Sequence, residues 1–238
     1  MKSAQPAARK RFYKVAHITG NDGGPFTVQL DGRSIKTPAG KPLAVPARAL
    51  AEAIAREWDV QGELIAPASL PLTKLANSAI DGVATREADV AGDIIKYAAS
   101  DLVCYRAPYP SQLVAAQARA WDPVLDSIAQ RYGARFLTGA GIAHIAQPAA
   151  SLEALRAAVA SLDAFKLAAL HLMTTLTGSA LIALAHAGGD IDAGTAWTAA
   201  QTDERWQASQ WGEDFEAAQR EKARRAEFEC ASRFYKLS

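Results

Sequence analysis

The segment 165–187 constrains the fold of this chain more than any other. It is apolar over about 23 residues, long enough to cross a bilayer. It also contains His171, His186 and the run Thr174-Thr175-Leu176-Thr177, with Lys166 at one end. Those polar groups would sit in hydrocarbon if the segment spanned a membrane. A helix that is apolar all round can instead be buried among other helices. The buried reading is preferred, so no membrane insertion is expected. It calls for a shell of amphipathic helices, and a 238-residue chain that is 50% hydrophobic can supply one.

The first 45 residues follow another pattern. Residues 11–19 alternate and are rich in aromatic and β-branched types, which predicts a strand. A second strand is expected at 26–30. Asp31-Gly32 follows it, a strong hairpin signal because a type I′ turn needs positive φ at both central residues. The return strand is expected at 33–37 and a short fourth strand at 42–45. Pro46 then opens a helix in which Leu50, Ile54 and Trp58 form one stripe, and Gly62 ends it. Residues 64–66 read as a further strand.

Beyond about residue 70 the pattern is mainly helical. Helices are expected at 73–83, 87–100, 112–132, 151–162 and 164–187. Pro123 makes the third either two helices or one kinked helix. Residues 135–145, around Gly139 and Gly141, read as a small hairpin placed to return to the N-terminal sheet. Gly188-Gly189-Asp190 is a break, and one last helix is expected from near Asp192 or Gly194 to beyond Phe228. The fold class is α+β. A β-rich N-terminal domain (1–70), with a hairpin sheet and one helix, precedes a helical C-terminal domain (71–238).

The formal net charge of +1 gives no pull toward nucleic acid or an anionic membrane. Two cysteines, Cys104 and Cys230, suggest a reducing compartment without a disulfide. The start MKSAQPAARKR has no apolar run behind it, so no secretory signal is expected, and alanine richness suggests the bacterial cytoplasm.

The sequence offers little chemistry. Neither GxxxxGK[ST] nor GxGxxG occurs, and the Gly20, Gly23, Gly24 cluster with Asn21 and Asp22 reads as a turn between strands. No cofactor is expected. None of His17, His144, His171 and His186 has a partner at metal-ligand spacing, and neither cysteine lies in a CxxC pair. On one continuous helix His171 and His186 would stand about 22 Å apart. Cys104 beside Arg106 is the best nucleophile candidate, but no histidine is near it in sequence. Glu213-Asp214 is a carboxylate pair whose members diverge around a helix and do not converge on one bond. No catalytic or metal-binding residue is assigned.

The expected last helix is more informative. Trp197, Glu204 and Trp211 are seven apart, so on one helix they fall in a column with Phe215 close to it. If that column is buried, Glu204 needs a partner or a raised pKa. If it is exposed, it is an aromatic patch with one charge, a composition common at binding hot spots. The spacing alone favours a core stripe with Glu204 at its rim, pairing with an arginine or backbone amides.

Seven short blocks occur in order along nearly the whole chain. They are Arg11-Phe12-Tyr13-Lys14; Leu30-Asp31-Gly32-Arg33 with Lys36-Thr37-Pro38; Val45-Pro46 and Glu57-Trp58-Asp59 with Gln61; Leu72-Thr73 with Asn77; Asp101-Leu102-Val103-Cys104-Tyr105-Arg106; Trp121-Asp122-Pro123; and Asp203-Glu204 with Gln207 and Trp211-Gly212. In this order the chain resembles the ATP synthase assembly chaperones that bind the α subunit of the F(1) catalytic head, found in mitochondria and α-proteobacteria. The resemblance implies a chaperone that hydrolyses no ATP, with the α subunit as partner. It implies that an acidic position in the last block matters, and Glu204 falls there, with Asp203 beside it. The binding candidates are therefore Glu204 and Trp211, then Asp203, Trp206 and Gln207. Absence of the targeting extension of mitochondrial members is taken to point to a bacterial, cytoplasmic source, against the mitochondrial matrix for eukaryotic relatives. A monomer is expected. The rival readings are a small hydrolase using Cys104 and a structural subunit of a larger complex.

Overall fold

The computed structural model describes residues 9–21, 23–212 and 214–238. The basic residues 1–8, Asp22 of the glycine turn and Glu213 of the carboxylate pair lie outside the described residues. A small N-terminal sheet region precedes a helical C-terminal region, as the α+β expectation had it.

The sheet is built on β3 (Phe26–Leu30), which pairs antiparallel with β2 (Ala16–Thr19), β4 (Arg33–Ser34) and β5 (Ala44–Val45). Phe26, Val28 and Leu30 of β3 are buried and alternate with half-buried Thr27 and Gln29, the period-2 pattern of a sheet with one face on the core. The predicted hairpin turn forms, with φ of 47° at Asp31 and 80° at Gly32. Positive φ is unfavourable at a non-glycine residue. The Asp31 carboxylate offsets this by accepting from the amides of Lys14 and Val15, at 3.0 Å each for its closest contacts.

The strand expected at 11–19 forms only at 16–19, and a separate short strand precedes the expected range. β1 (Arg9–Lys10) pairs with β6 (Leu64–Ile65), while β2 belongs to the main sheet. Between them Arg11 donates to the carbonyls of Tyr13, Lys14, Asp59 and Gln61, and the Tyr13 hydroxyl donates to the Trp58 carbonyl at 2.6 Å. These bonds bend the chain away from a continuous strand. Helix α1 (Arg48–Asp59) lies on the sheet with Leu50 and Ile54 fully buried. Each such burial contributes about 2 kcal/mol.

Helix α2 (Pro71–Asp81) begins with proline, which gives up an N–H the helix does not use. The next two amides, of Leu72 and Thr73, donate to the Glu57 carboxylate at 2.7 and 2.9 Å. A residue of α1 thus caps α2, and burial raises the Glu57 pKa despite those bonds. Then follow α3 (Glu87–Ala99) and α4 (Ser111–Tyr132), which runs unbroken through Pro123, and α5 (Ala149–Ala160).

The hairpin expected at 135–145 does not form. β8 (Gly139–Ala140) pairs in parallel with β7 (Tyr105–Arg106), and the Gly141 amide donates to the Arg106 carbonyl at 2.9 Å. The segment has no hairpin partner because the Gln147 side chain takes both the N–H and the C=O of Leu137, at 2.8 and 3.0 Å.

The apolar run is buried, but as two helices, α6 (Ala164–Thr177) and α7 (Ala180–Ala187). Gly178 turns the chain at φ 70°, and the Ser179 hydroxyl accepts from the Ile182 amide. The fully buried Asp101 carboxylate holds this break. It accepts from the Ser179 hydroxyl at 2.5 Å and the Leu181 amide at 3.0 Å. It lies at the N-terminus of α7, where a helix dipole favours negative charge. Burial nonetheless pushes its pKa up to about 6. α6 packs against α2, α3 and the final helix, and the apolar core runs without interruption from Phe26 to Phe234. Among the described residues no helix is long and apolar enough to cross a membrane.

The last helix is three: α8 (Ala193–Ala200), α9 (Thr202–Trp211) and α10 (Phe215–Leu237). At the first break the Ala199 carbonyl is drawn off the helix ladder. It accepts from the Trp121 ring N–H at 2.8 Å and the Thr202 hydroxyl at 2.9 Å. At the second, Gly212 has φ 91° and ψ 162°, a conformation open in practice to glycine alone. Asp214 then caps α10 by accepting from the Glu216 amide at 3.0 Å.

Candidate functional site

These breaks dissolve half of the predicted column. Trp197 belongs to α8 and is 2% exposed, tilted on Phe228 with ring centroids 5.6 Å apart. Its ring N–H donates to Glu221 at 3.2 Å. It is core and takes no part in a surface stripe. Glu204, Gln207 and Trp211 lie within the ten residues of α9 and share one edge of it by their spacing of three and four. That edge is exposed.

α9 is a ledge. Thr202 is its only buried residue. Asp203 faces α4, where its carboxylate accepts from the Gln117 amide at 2.7 Å. The Gln117 side-chain oxygen accepts from the Ala107 amide at 2.8 Å. The same support includes Arg106, which donates to Asp122 at 2.8 Å and lies over the Trp121 ring. Three of the sequence blocks therefore meet beneath the ledge. Trp206 is half-buried and meets Trp211 edge to face, at 5.9 Å and 89°. Trp211 is 76% exposed, and Phe215, just past the Gly212 elbow, is 76% exposed as well. Glu204 makes no side-chain hydrogen bond or ion pair with any described residue.

Of the five predicted residues, the structure brings Glu204, Gln207 and Trp211 together on the open edge. It turns Asp203 and Trp206 toward α4. The list of candidates missed Phe215, whose position depends on the elbow, and Gln117, a mid-helix amide with no local signal of its role. A carboxylate with no partner among the described residues, on one helix edge with an open aromatic ring, can hold a partner through one charge and a large apolar contact.

Cys104 is fully buried, and burial with Asp101 nearby pushes its thiol up to about 12, so it stays protonated at neutral pH. Cys230 is half-buried and pushed up to about 11, and both thiols are free. His171 and His186 lie on different helices, α6 and α7, instead of the one helix expected. The His186 ring contacts the Ile191 carbonyl at 2.9 Å and the Ser232 hydroxyl at 2.7 Å. Among the described residues no three His, Cys, Asp or Glu side chains cluster to hold a metal ion.

The helical body buries Cys104, leaves Cys230 half-buried and carries exposed Trp211 on its ledge. In comparison with known proteins, the model of the ATP12 chaperone protein matches residues 10–129. The chain is 28% identical over 220 residues to Protein atp12, mitochondrial, of Schizosaccharomyces pombe, covering 87% of this chain and 75% of that one. It superposes on Atp12 from Paracoccus denitrificans with a TM-score of 0.91 and 42% identity, covering 96% and 97% of the two chains. An aspartate-to-lysine variant of the same Paracoccus protein gives 0.92 at the same identity and coverage. A candidate chaperone from Agrobacterium tumefaciens gives 0.93 at 40% identity, with 99% and 92% covered. The chain belongs to the ATP12 chaperone family, the ATP synthase assembly chaperones to which its sequence blocks pointed.

Proposed function

We propose that this chaperone captures the unassembled α subunit of the ATP synthase F(1) head, shields it from aggregation and hydrolyses no ATP in doing so. An unassembled α subunit exposes apolar surface that later meets its β neighbour. Covering that surface reversibly prevents α–α association. The observation that carries the reading is the open edge of α9, where Glu204, with no partner among the described residues, shares a helix edge with Trp211, and Phe215 opens the next helix; both rings are 76% exposed. Trp211 and Phe215 supply the apolar contact and Glu204 sets its orientation, with Gln207 on the same edge. Asp203 and Trp206 hold that edge to the body. Release follows when the larger α–β interface forms. The chain acts in the bacterial cytoplasm as a monomer.

The test is a pull-down of isolated α and β subunits, each offered separately to the purified chain. Capture of α alone is expected. Capture of neither subunit would sink the proposal. Stable, stoichiometric presence in the finished ATP synthase would point to a structural subunit instead.

A further inference from the structure

A groove of about 750 Å³ runs between α4 and the α8–α9 pair, behind the open edge of α9. Ala120, Pro123, Val124 and Ala199 give it an apolar floor, and Trp206 joins the lining. Two guanidinium groups stand on opposite walls, Arg119 on α4 and Arg205 on α9. Arg205 reaches only the Thr198 hydroxyl, at 3.2 Å, and neither arginine has a carboxylate within ion-pair distance among the described residues. The one acid in the lining, Asp192, is occupied as the cap of α8, accepting from the Thr195 amide at 2.7 Å. Asp192 keeps its charge, so two guanidinium groups against one carboxylate leave the groove net positive.

We propose that this groove seats a segment of the client in which a carboxylate stands beside an apolar side chain. The carboxylate is met by Arg119 and Arg205, and the apolar group lies on the Ala120–Val124 floor against Trp206. This rests on the capture of the α subunit proposed above and names the chemistry of a second contact. Unpaired Glu204 on the edge favours a cation, and the groove favours an anion. A client bearing both signs fits α9 in one orientation only, because the reversed pose sets like charges against each other.

The experiment compares the affinity of the full chain for isolated α subunit with that of Arg119→Glu/Arg205→Glu, at low and high salt. The milder Arg119→Gln/Arg205→Gln pair runs alongside. Arg33→Glu/Arg56→Glu, two exposed positions in the N-terminal region, controls for net charge. Circular dichroism checks folding. The expected result is a loss of about tenfold or more for the groove reversal, a smaller loss for the glutamine pair, a flatter salt dependence for both and no change in the control. Wild-type affinity in both groove variants would overturn the groove contact while leaving capture intact. An equal loss in the control would also overturn it, since net charge would then explain the effect. Failure of the unaltered chain to bind α would remove the underlying reading and the groove contact with it.

Discussion

The side-chain amide of Gln117 donates to the Asp203 carboxylate at 2.7 Å, and this bond ties the first turn of α9 to α4. Gln117 is 2% exposed and spends its oxygen on the Ala107 amide, so both ends of the side chain are committed. Replacing it with Leu strands the Ala107 amide and frees Asp203. A loss of about 1–3 kcal/mol in unfolding free energy is expected, read by urea denaturation. Amide exchange in α9 should rise more than exchange in α4. Unchanged exchange in α9 would mean that other contacts hold the ledge.

Glu204→Lys and Trp211→Ala should each leave the fold intact, because both side chains are exposed. Capture of the α subunit should be abolished by the first and weakened by the second. Circular dichroism and a pull-down make the comparison. A folded Glu204→Lys chain that still captures α would remove Glu204 from the mechanism.

The Gly212 elbow has space for a side chain but not the backbone conformation for one. No heavy atom lies within 4 Å of a Cβ built there, yet φ is 91°. Gly212→Ala should therefore cost about 1–2 kcal/mol through backbone strain alone. It should also weaken capture, because the elbow sets the direction in which Phe215 leaves α9. A thermal melt and the same pull-down, made in parallel, test whether the two losses occur together.

Asp101 predicts a pH dependence with a definite sign. Its folded pKa is raised from 3.8 to about 6, so the folded chain binds this proton more tightly than the unfolded chain. The stabilisation this provides is fully present below the lower value and is lost as pH rises through the upper one. Against Asp101→Asn, the wild type should become relatively less stable as pH rises across that window, and the difference should be flat above it. His186, whose pKa is lowered chiefly by burial, acts in the opposite direction in both proteins and cancels in the comparison. A difference that grows in favour of the wild type with rising pH would refute the assignment.

What the sequence revealed depended on how local the cause was. The Asp31-Gly32 turn was legible because two adjacent residues set it. The apolar run was legible as buried. Its division at Gly178 was not, since Asp101 holds that break from 78 positions before Ser179. The seven-residue spacing of Trp197, Glu204 and Trp211 misled because it assumed one continuous helix. Gly212 followed by Asp214 carried a stop and a new cap, a signal that could have been read. Gln201-Thr202 contains no breaker. There the helix ends because Trp121, far away in the chain, takes the Ala199 carbonyl. Glu204 and Trp211 still share a helix edge because both lie inside α9.

Thr202 is the one fully buried residue of α9, and Asp203 with half-buried Trp206 adds the remaining hold on the body. The rest of that helix is nearly released from the demands that folding places on sequence. Substitutions along its outer edge can drift with a changing client surface at little cost to the body beneath, so chaperone and client can coevolve there while the core stays under separate selection.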